Sequence, residues 1–240
     1  MHLTTNRPTL TLVRSFPLLI TTALSVCLMS SQAAAERPAT SPGDSAHPPD
    51  RQVPDARMNF DDLDLPRLSA AICEITNTTR TRHGLEALPT EKRLARAAQG
   101  HAGRMARLKF FGHTDRYSTK RKGPTERARL AGISNPYIAE NVAVRTGLDL
   151  PNGSAVYVID RERGHFATRP GGKPIPPHSY RSFAKAIVEQ WMKSPGHREN
   201  ILSDQGKQMG CGVALRFEEG MPRLYGVQVF QWFQPVKAAD

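Results

Sequence analysis

The apolar residues of this chain change period once, and that change restricts its architecture more than any other feature. Leu65, Leu68, Ile72, Ile75 and Thr79 recur at helical spacing, and Leu94, Ala97, Ala98, His101, Met105 and Leu108 repeat the pattern. The first set predicts an amphipathic helix ended near His83-Gly84. The second predicts a helix capped by Thr90 that runs to about Lys109. Near the end, Met209 to Phe217 and Leu224 to Phe233 read as strands, with residues 218–223 joining them as an antiparallel hairpin. Helices first and a hairpin last predict an α+β layered domain, not alternating βαβ units.

Between these blocks the punctuation is strong. Phe110-Phe111-Gly112 closes the second helix and leads into His113, and GPTERARLAG at 123–132 reads as a short helix with Pro in its first turn. YIAENVAV at 137–144 is an apolar run around one carboxylate, Glu140. The Gly- and Pro-rich stretch 145–178 reads as a hairpin or a long surface loop. A further helix starts near Ser182 and stops at Ser194-Pro195, because the residue before proline is pushed out of the helical region.

With 240 residues, 39% of them hydrophobic, the chain suits one globular domain plus extra segments. Residues 1–35 carry a basic start, an apolar run of about 15 residues and small residues at Ala33 and Ala35, the order of a secretory signal peptide. That run is shorter than the roughly 20 residues a membrane-spanning helix needs, so no transmembrane segment is expected in the mature chain. Residues 36–59, rich in Pro, Ser, Asp and Ala, cannot bury enough surface to offset their ordering entropy and read as a disordered linker. The domain is expected over 60–240.

Removal of the signal leaves Cys73 and Cys211 in a chain bound for an oxidising periplasmic or extracellular compartment. A disulfide between them is the natural expectation, with two buried free thiols as the alternative. From residue 59 onward 28 Lys plus Arg oppose 18 Asp plus Glu, densest between Arg104 and Arg129 with Lys120, Arg121 and Lys122 at the centre. This field favours an anionic envelope polymer or lipid, or equally is a solvated face that aids solubility. Nucleic acid is not expected: no aromatic-basic stacking motif is present, and secretion argues against it.

Walker, CxxC and HExxH sequences are absent. His101 lies on the apolar face of its helix and reads as core, His83 suits a helix C-terminus, and His165 and His178 fall in the irregular stretch. His113 and His197 differ, because each follows a helix stop, FGH and SPGH, where Gly permits a sharp turn. With Glu140 they could ligate a divalent metal such as zinc, or Glu140 could orient one His as a general base.

FGHTD, GPTERARLAGI, AENVAV, WMKSPGHRENIL, MGCGVAL and LYGVQVF, in that order over about residues 66–233, resemble the CAP superfamily of cysteine-rich secretory, antigen 5 and pathogenesis-related 1 proteins. The closer likeness is to its bacterial SCP-like branch. The resemblance implies a three-layer α-β-α sandwich with a central antiparallel sheet and a cleft lined by two His and two Glu. On this sequence those would be His113, His197 and Glu140, supported by Asn141, Trp191 and Ser194. Ala139 stands where Gly is usual in the family's G-E-N motif, and Ser194 stands where animal and plant members have the second Glu. Glu126 and Glu189 are the candidates to replace it. Residues 145–182 are longer than the connection usual in relatives, which suggests a flap beside the cleft or a tolerated surface insertion.

The function expected on this basis is a secreted, monomeric, non-catalytic binding module for an envelope component, lipid or protein partner, whose cleft can hold a divalent metal. The alternative is a metal- or His-dependent hydrolase working in the same cleft.

Overall fold

The structure is a computed structural model and describes residues 56–151 and 153–239. The signal peptide and most of the linker lie outside the described residues. The last linker positions do not behave as linker: Met58 is buried, its N–H donates to His178 O at 2.8 Å, and Arg57 bridges to Ser179. A single large apolar side chain is enough to pin this short segment.

Among the described residues eleven elements follow in chain order. Helices α1 (Leu65–Arg82) and α2 (Lys92–Leu108) come first, then a 3-10 turn at Thr119–Arg121 and helix α3 (Pro124–Leu130). Strands β1 (Ile138–Thr146), β2 (Tyr157–Asp160) and β3 (His165–Ala167) precede helices α4 (Tyr180–Met192) and α5 (Pro195–Leu202). Strands β4 (Gly206–Glu218) and β5 (Met221–Trp232) close the chain.

Asp64 caps α1 by accepting from Arg67 N–H at 2.9 Å. Helix α2 is capped by Glu91, not Thr90: the Glu91 carboxylate accepts from Arg93 N–H and Leu94 N–H at 2.6 and 2.9 Å. Ser179 and Ser182 cap α4 reciprocally, which starts the helix two residues before Ser182. After Ser194 the chain does not merely turn a corner but begins a new helix, α5, with Pro195 in its first turn, where no N–H is missed.

The sheet is antiparallel in the order β1-β5-β4. Its faces alternate. Met209, Cys211, Val213, Leu224 and Phe230 enter one core with residues of α1, α4 and α5, while Val142, Tyr225, Val227 and Val229 enter a second core with residues of α2 and α3. Helices on both faces of an antiparallel sheet make the expected α-β-α sandwich. Gly210 and Gly212 let α2 rest directly on β4, since a Cβ at either would lie 2.1 Å from Ala95 N or 2.2 Å from Gln99 N.

The β4–β5 hairpin turns at Glu219-Gly220 with φ of 50° and 81°, the left-handed pair that a two-residue turn requires. The expected six-residue connection is therefore mostly ladder. Residues 145–178 hold the β2–β3 hairpin and a small cluster of Leu148, Phe166 and Ile175 with Phe60 and Met221 against it. That cluster gathers where β1 ends and β4–β5 turns, about 20 Å along β1 from Glu140. The insertion is fastened to that end of the sheet and is not a flap beside Glu140.

Candidate functional site

The segment after α2 places His113. Lys109 takes a left-handed conformation (φ 58°), Phe110 is buried, and His101 of α2 holds the loop through an Nε2–H bond to Gly112 O at 2.8 Å. His101 is fully buried as core, its Nδ1 has no partner among the described residues, and burial lowers its pKa. It is a neutral prop under the loop.

His113 is then half exposed, with Nδ1 2.9 Å from Glu140 Oε1. A carboxylate can only accept, so Nδ1 carries the proton and Nε2 is left for a ligand. Glu140 sits on the β1 face toward α2 and α3, buried, and its Oε2 accepts from Arg127 of α3 at 2.7 Å. Arg127 is buried too, and its other terminal nitrogen donates to three carbonyls: His113 and Arg121 at 3.0 Å, Lys122 at 3.3 Å.

That one guanidinium ties β1, the His113 loop and the basic segment together. Lys120, Arg121 and Lys122 have exposed side chains at the 3-10 turn, on backbone that Arg127 holds.

On the other face of β1, Asn141 Nδ2 donates to His197 O (3.2 Å) and to Gln228 Oε1 (3.1 Å), and Asn141 Oδ1 accepts from Asn200 (2.8 Å). Gln228 in turn donates to Thr76 of α1 at 2.7 Å. This buried amide chain fixes the start of α5, so His197 reaches within 6.4 Å of His113, ring centre to ring centre. Burial first, then the nearby His113, lowers the His197 pKa below its ordinary value, which keeps it neutral at pH 7.

The structure thus brings His113, Glu140, Asn141 and His197 together, but not as the three-ligand set considered from the sequence. Both Glu140 oxygens are engaged, by His113 and by Arg127, and among the described residues no cluster of three His, Cys, Asp or Glu is disposed to hold a metal. Trp191 is fully buried in the core beneath α4 and does not line the cleft.

Ser194 precedes α5 without a side-chain capping bond. Neither acidic candidate replaces the second Glu: Glu126 accepts from Gly123 N–H at the start of α3, and Glu189 faces solvent beside Lys185. Cys73 and Cys211 form a disulfide across 138 residues, with Cα atoms 6.1 Å apart. Reading the sequence missed Arg127, Asn200 and Gln228. It also undervalued His178, which is buried with Nδ1 2.9 Å from Ser182 Oγ.

The family model for cysteine-rich secretory proteins, CAP, matches residues 73–230. The chain belongs to the CAP family. Every group of the site just described lies inside the matched range, as do both cysteines. Solved structures similar to this CAP chain include an extracellular protein with an SCP domain from Bacillus anthracis (19% identity, TM-score 0.48, 74% of this chain and 45% of that one). A cysteine-rich secretory protein from Staphylococcus aureus (16% identity, TM-score 0.42) is covered over 40% of its length by 70% of this chain. An outer surface protein from Borrelia burgdorferi (12% identity, TM-score 0.42) is covered over 93% of its length by 70% of this chain. The chain therefore spans less than half the length of the first and second of these proteins. A search of curated proteins found no match. Among the described residues no helix is long and apolar enough to cross a membrane.

Proposed function

We propose that this CAP chain is a secreted, non-catalytic binding module, periplasmic or extracellular, that takes an anionic envelope component at the rim of the His113–His197 cleft. The observation that carries this reading is the position of Arg127. By donating to His113 O, Arg121 O and Lys122 O while paired with Glu140, it holds the backbone of the basic segment, which exposes Lys120, Arg121 and Lys122, to the loop that carries His113. A rim held rigid in this way is pre-organised for phosphate or carboxylate groups. Acidic lipid headgroups and anionic polymers share that chemistry. A divalent ion such as zinc would meet His113 and His197 as donors, with Glu140 behind His113 as the partner that orients it.

The variant K120E/R121E/K122E is expected to bind phosphatidylglycerol-containing vesicles, or soluble polyglutamate, roughly a hundredfold more weakly than wild type. Loss on vesicles alone identifies a lipid headgroup and loss on polyglutamate alone a polymer. Unchanged binding of both overturns the reading.

The His113–Glu140 pair is also how a general base is oriented, which favours a hydrolase as the second reading. We expect no turnover of peptide substrates, with or without added zinc. Turnover that disappears in His113→Ala with His197→Ala would establish the hydrolase instead.

A further inference from the structure

The sheet has two outer edges, and the protein treats them differently. At the β4 edge the backbone is occupied: Met209 N–H donates to Pro89 O (3.0 Å), Met209 O accepts from Glu91 N–H (2.8 Å), and the Gln99 amide bonds both N–H and C=O of Val213 at 3.0 and 2.8 Å. A side chain of α2 thereby stands in for a fourth strand. Such cover is what an edge needs if it is to refuse another chain.

Among the described residues the β1 edge is bonded less fully, although Glu140 and Val142 are buried and Val144 and Thr146 are only partly open. Trp232 N–H donates to Tyr137 O, and Gly147 N–H to Pro222 O, both at 2.9 Å. In an antiparallel pair the N–H and C=O of one residue point to the same side, so these bonds assign the odd-numbered residues of β1 to the β5 ladder. The groups of Ile138, Glu140, Val142, Val144 and Thr146 then project away from the sheet. Among the described residues one side chain bonds to that row, Asn200, whose Nδ2 donates to Glu140 O at 3.3 Å. The side chains of Val142 and Val144 point into the core under α2 and α3, so what they offer the edge is backbone.

We propose that this edge is a peptide-binding site: an extended acidic segment of a partner protein adds beside β1 as a fourth strand, pairing with Val142 and Val144. Three features select that occupant. A row of N–H and C=O groups repeating about every 6.8 Å matches another polypeptide, whereas a lipid or a glycan has no such repeat. His113 and His197, with ring centres 6.4 Å apart at the Glu140 end of β1, can contact a side chain at one end of the added strand. Arg127 holds the backbone of Arg121 and Lys122 together with that of His113, and the exposed Lys120, Arg121 and Lys122 favour carboxylates. The acidic character rests on the anion-binding reading given above; the strand pairing does not.

The probe is a ten-residue peptide of alternating Val and Glu, with two companions: the same peptide N-methylated at alternate residues, and one with Lys in place of Glu. Fluorescence anisotropy should show saturable binding of the first. N-methylation should weaken it at least tenfold, because each methyl removes a ladder donor and blocks approach to the edge. Hydrogen exchange at Val142 and Val144 should be slowed at least tenfold by the peptide, whereas Ala143, already in the β5 ladder, should change little. Equal binding of the methylated peptide, no binding of the unmodified one, or unchanged exchange at Val142 and Val144 overturns the strand-pairing proposal and leaves the anionic rim standing. If the Lys peptide binds as well as the Glu peptide with the same exchange signature, strand pairing holds and the anion-binding reading fails.

Discussion

Replacing Cys73 and Cys211 together by alanine is expected to lower the unfolding free energy by about 4–5 kcal/mol and the melting temperature by about 10–20 °C. The disulfide joins α1 to β4 and closes a loop of 138 residues. That loop contains α2, the His113 segment, α3, β1, α4 and α5, so opening it releases nearly the whole sandwich from its constraint. The chain-entropy relation gives about 5 kcal/mol for such a loop. Both cysteines are buried in the core shared with α1 and α4, and alanine there also removes packed sulfur, which adds a smaller cost in the same direction. Urea unfolding of oxidised wild type, reduced wild type and the double variant separates the two contributions. The reduced protein keeps the sulfur and loses only the constraint. If reduction costs less than about 1 kcal/mol, the loop-closure account is wrong, and the native packing, not the cross-link, keeps α1 on the sheet.

What could be read in advance follows from how local each signal is. Both ends of α1 were legible from local signals, the apolar period that begins at Leu65 and the His83-Gly84 stop, whereas the Asp64 cap at its start was not read. The start of α2 was displaced by one residue because Thr90 and Glu91 can both accept a capping bond, and only the fold shows that Thr90 is occupied elsewhere, in a bridge to Met209. The hairpin looked shorter than it is because Glu218 and Arg223 are polar and read as loop. In the fold they remain paired beyond the apolar part of the sheet, where cross-strand bonds continue without burial.

The site divides in the same way. His113, Glu140 and His197 carry motif context, so the sequence brought them together. Arg127 was invisible because its neighbours Glu126 and Arg129 make α3 look like an ordinary solvated helix. Its partners lie at four separate positions, residues 113, 121, 122 and 140, so no local pattern marks it as buried. The engagement of Glu140 was hidden for the same reason, which is why a ligand role looked open to it.

Arg127→Met is expected to destabilise the domain by about 3–5 kcal/mol, while Glu140→Gln costs clearly less. The two sides of this buried pair are unequally supported. Without Glu140 carboxylate, Arg127 still donates to the carbonyls of His113, Arg121 and Lys122, so its charge remains solvated by dipoles. Without Arg127, those three carbonyls lose their donor together, and Glu140, buried, is left with His113 Nδ1 alone. The deficit should therefore fall on both the carboxylate and the basic loop.

The Arg127→Met, Glu140→Gln pair should recover part of the loss, because no unpaired charge is then buried; the carbonyls remain unserved, so recovery is incomplete. Urea unfolding of the four proteins forms a double-mutant cycle. A coupling below about 0.5 kcal/mol, or a Glu140→Gln variant less stable than Arg127→Met, would show that the pair is not what joins the His113 loop to β1. The same argument links stability to binding. If Arg127 holds the backbone of residues 121 and 122 in place, the folded Arg127→Met, Glu140→Gln protein should bind the anionic probes more weakly than Glu140→Gln alone, although the exposed charges at Lys120, Arg121 and Lys122 are unchanged.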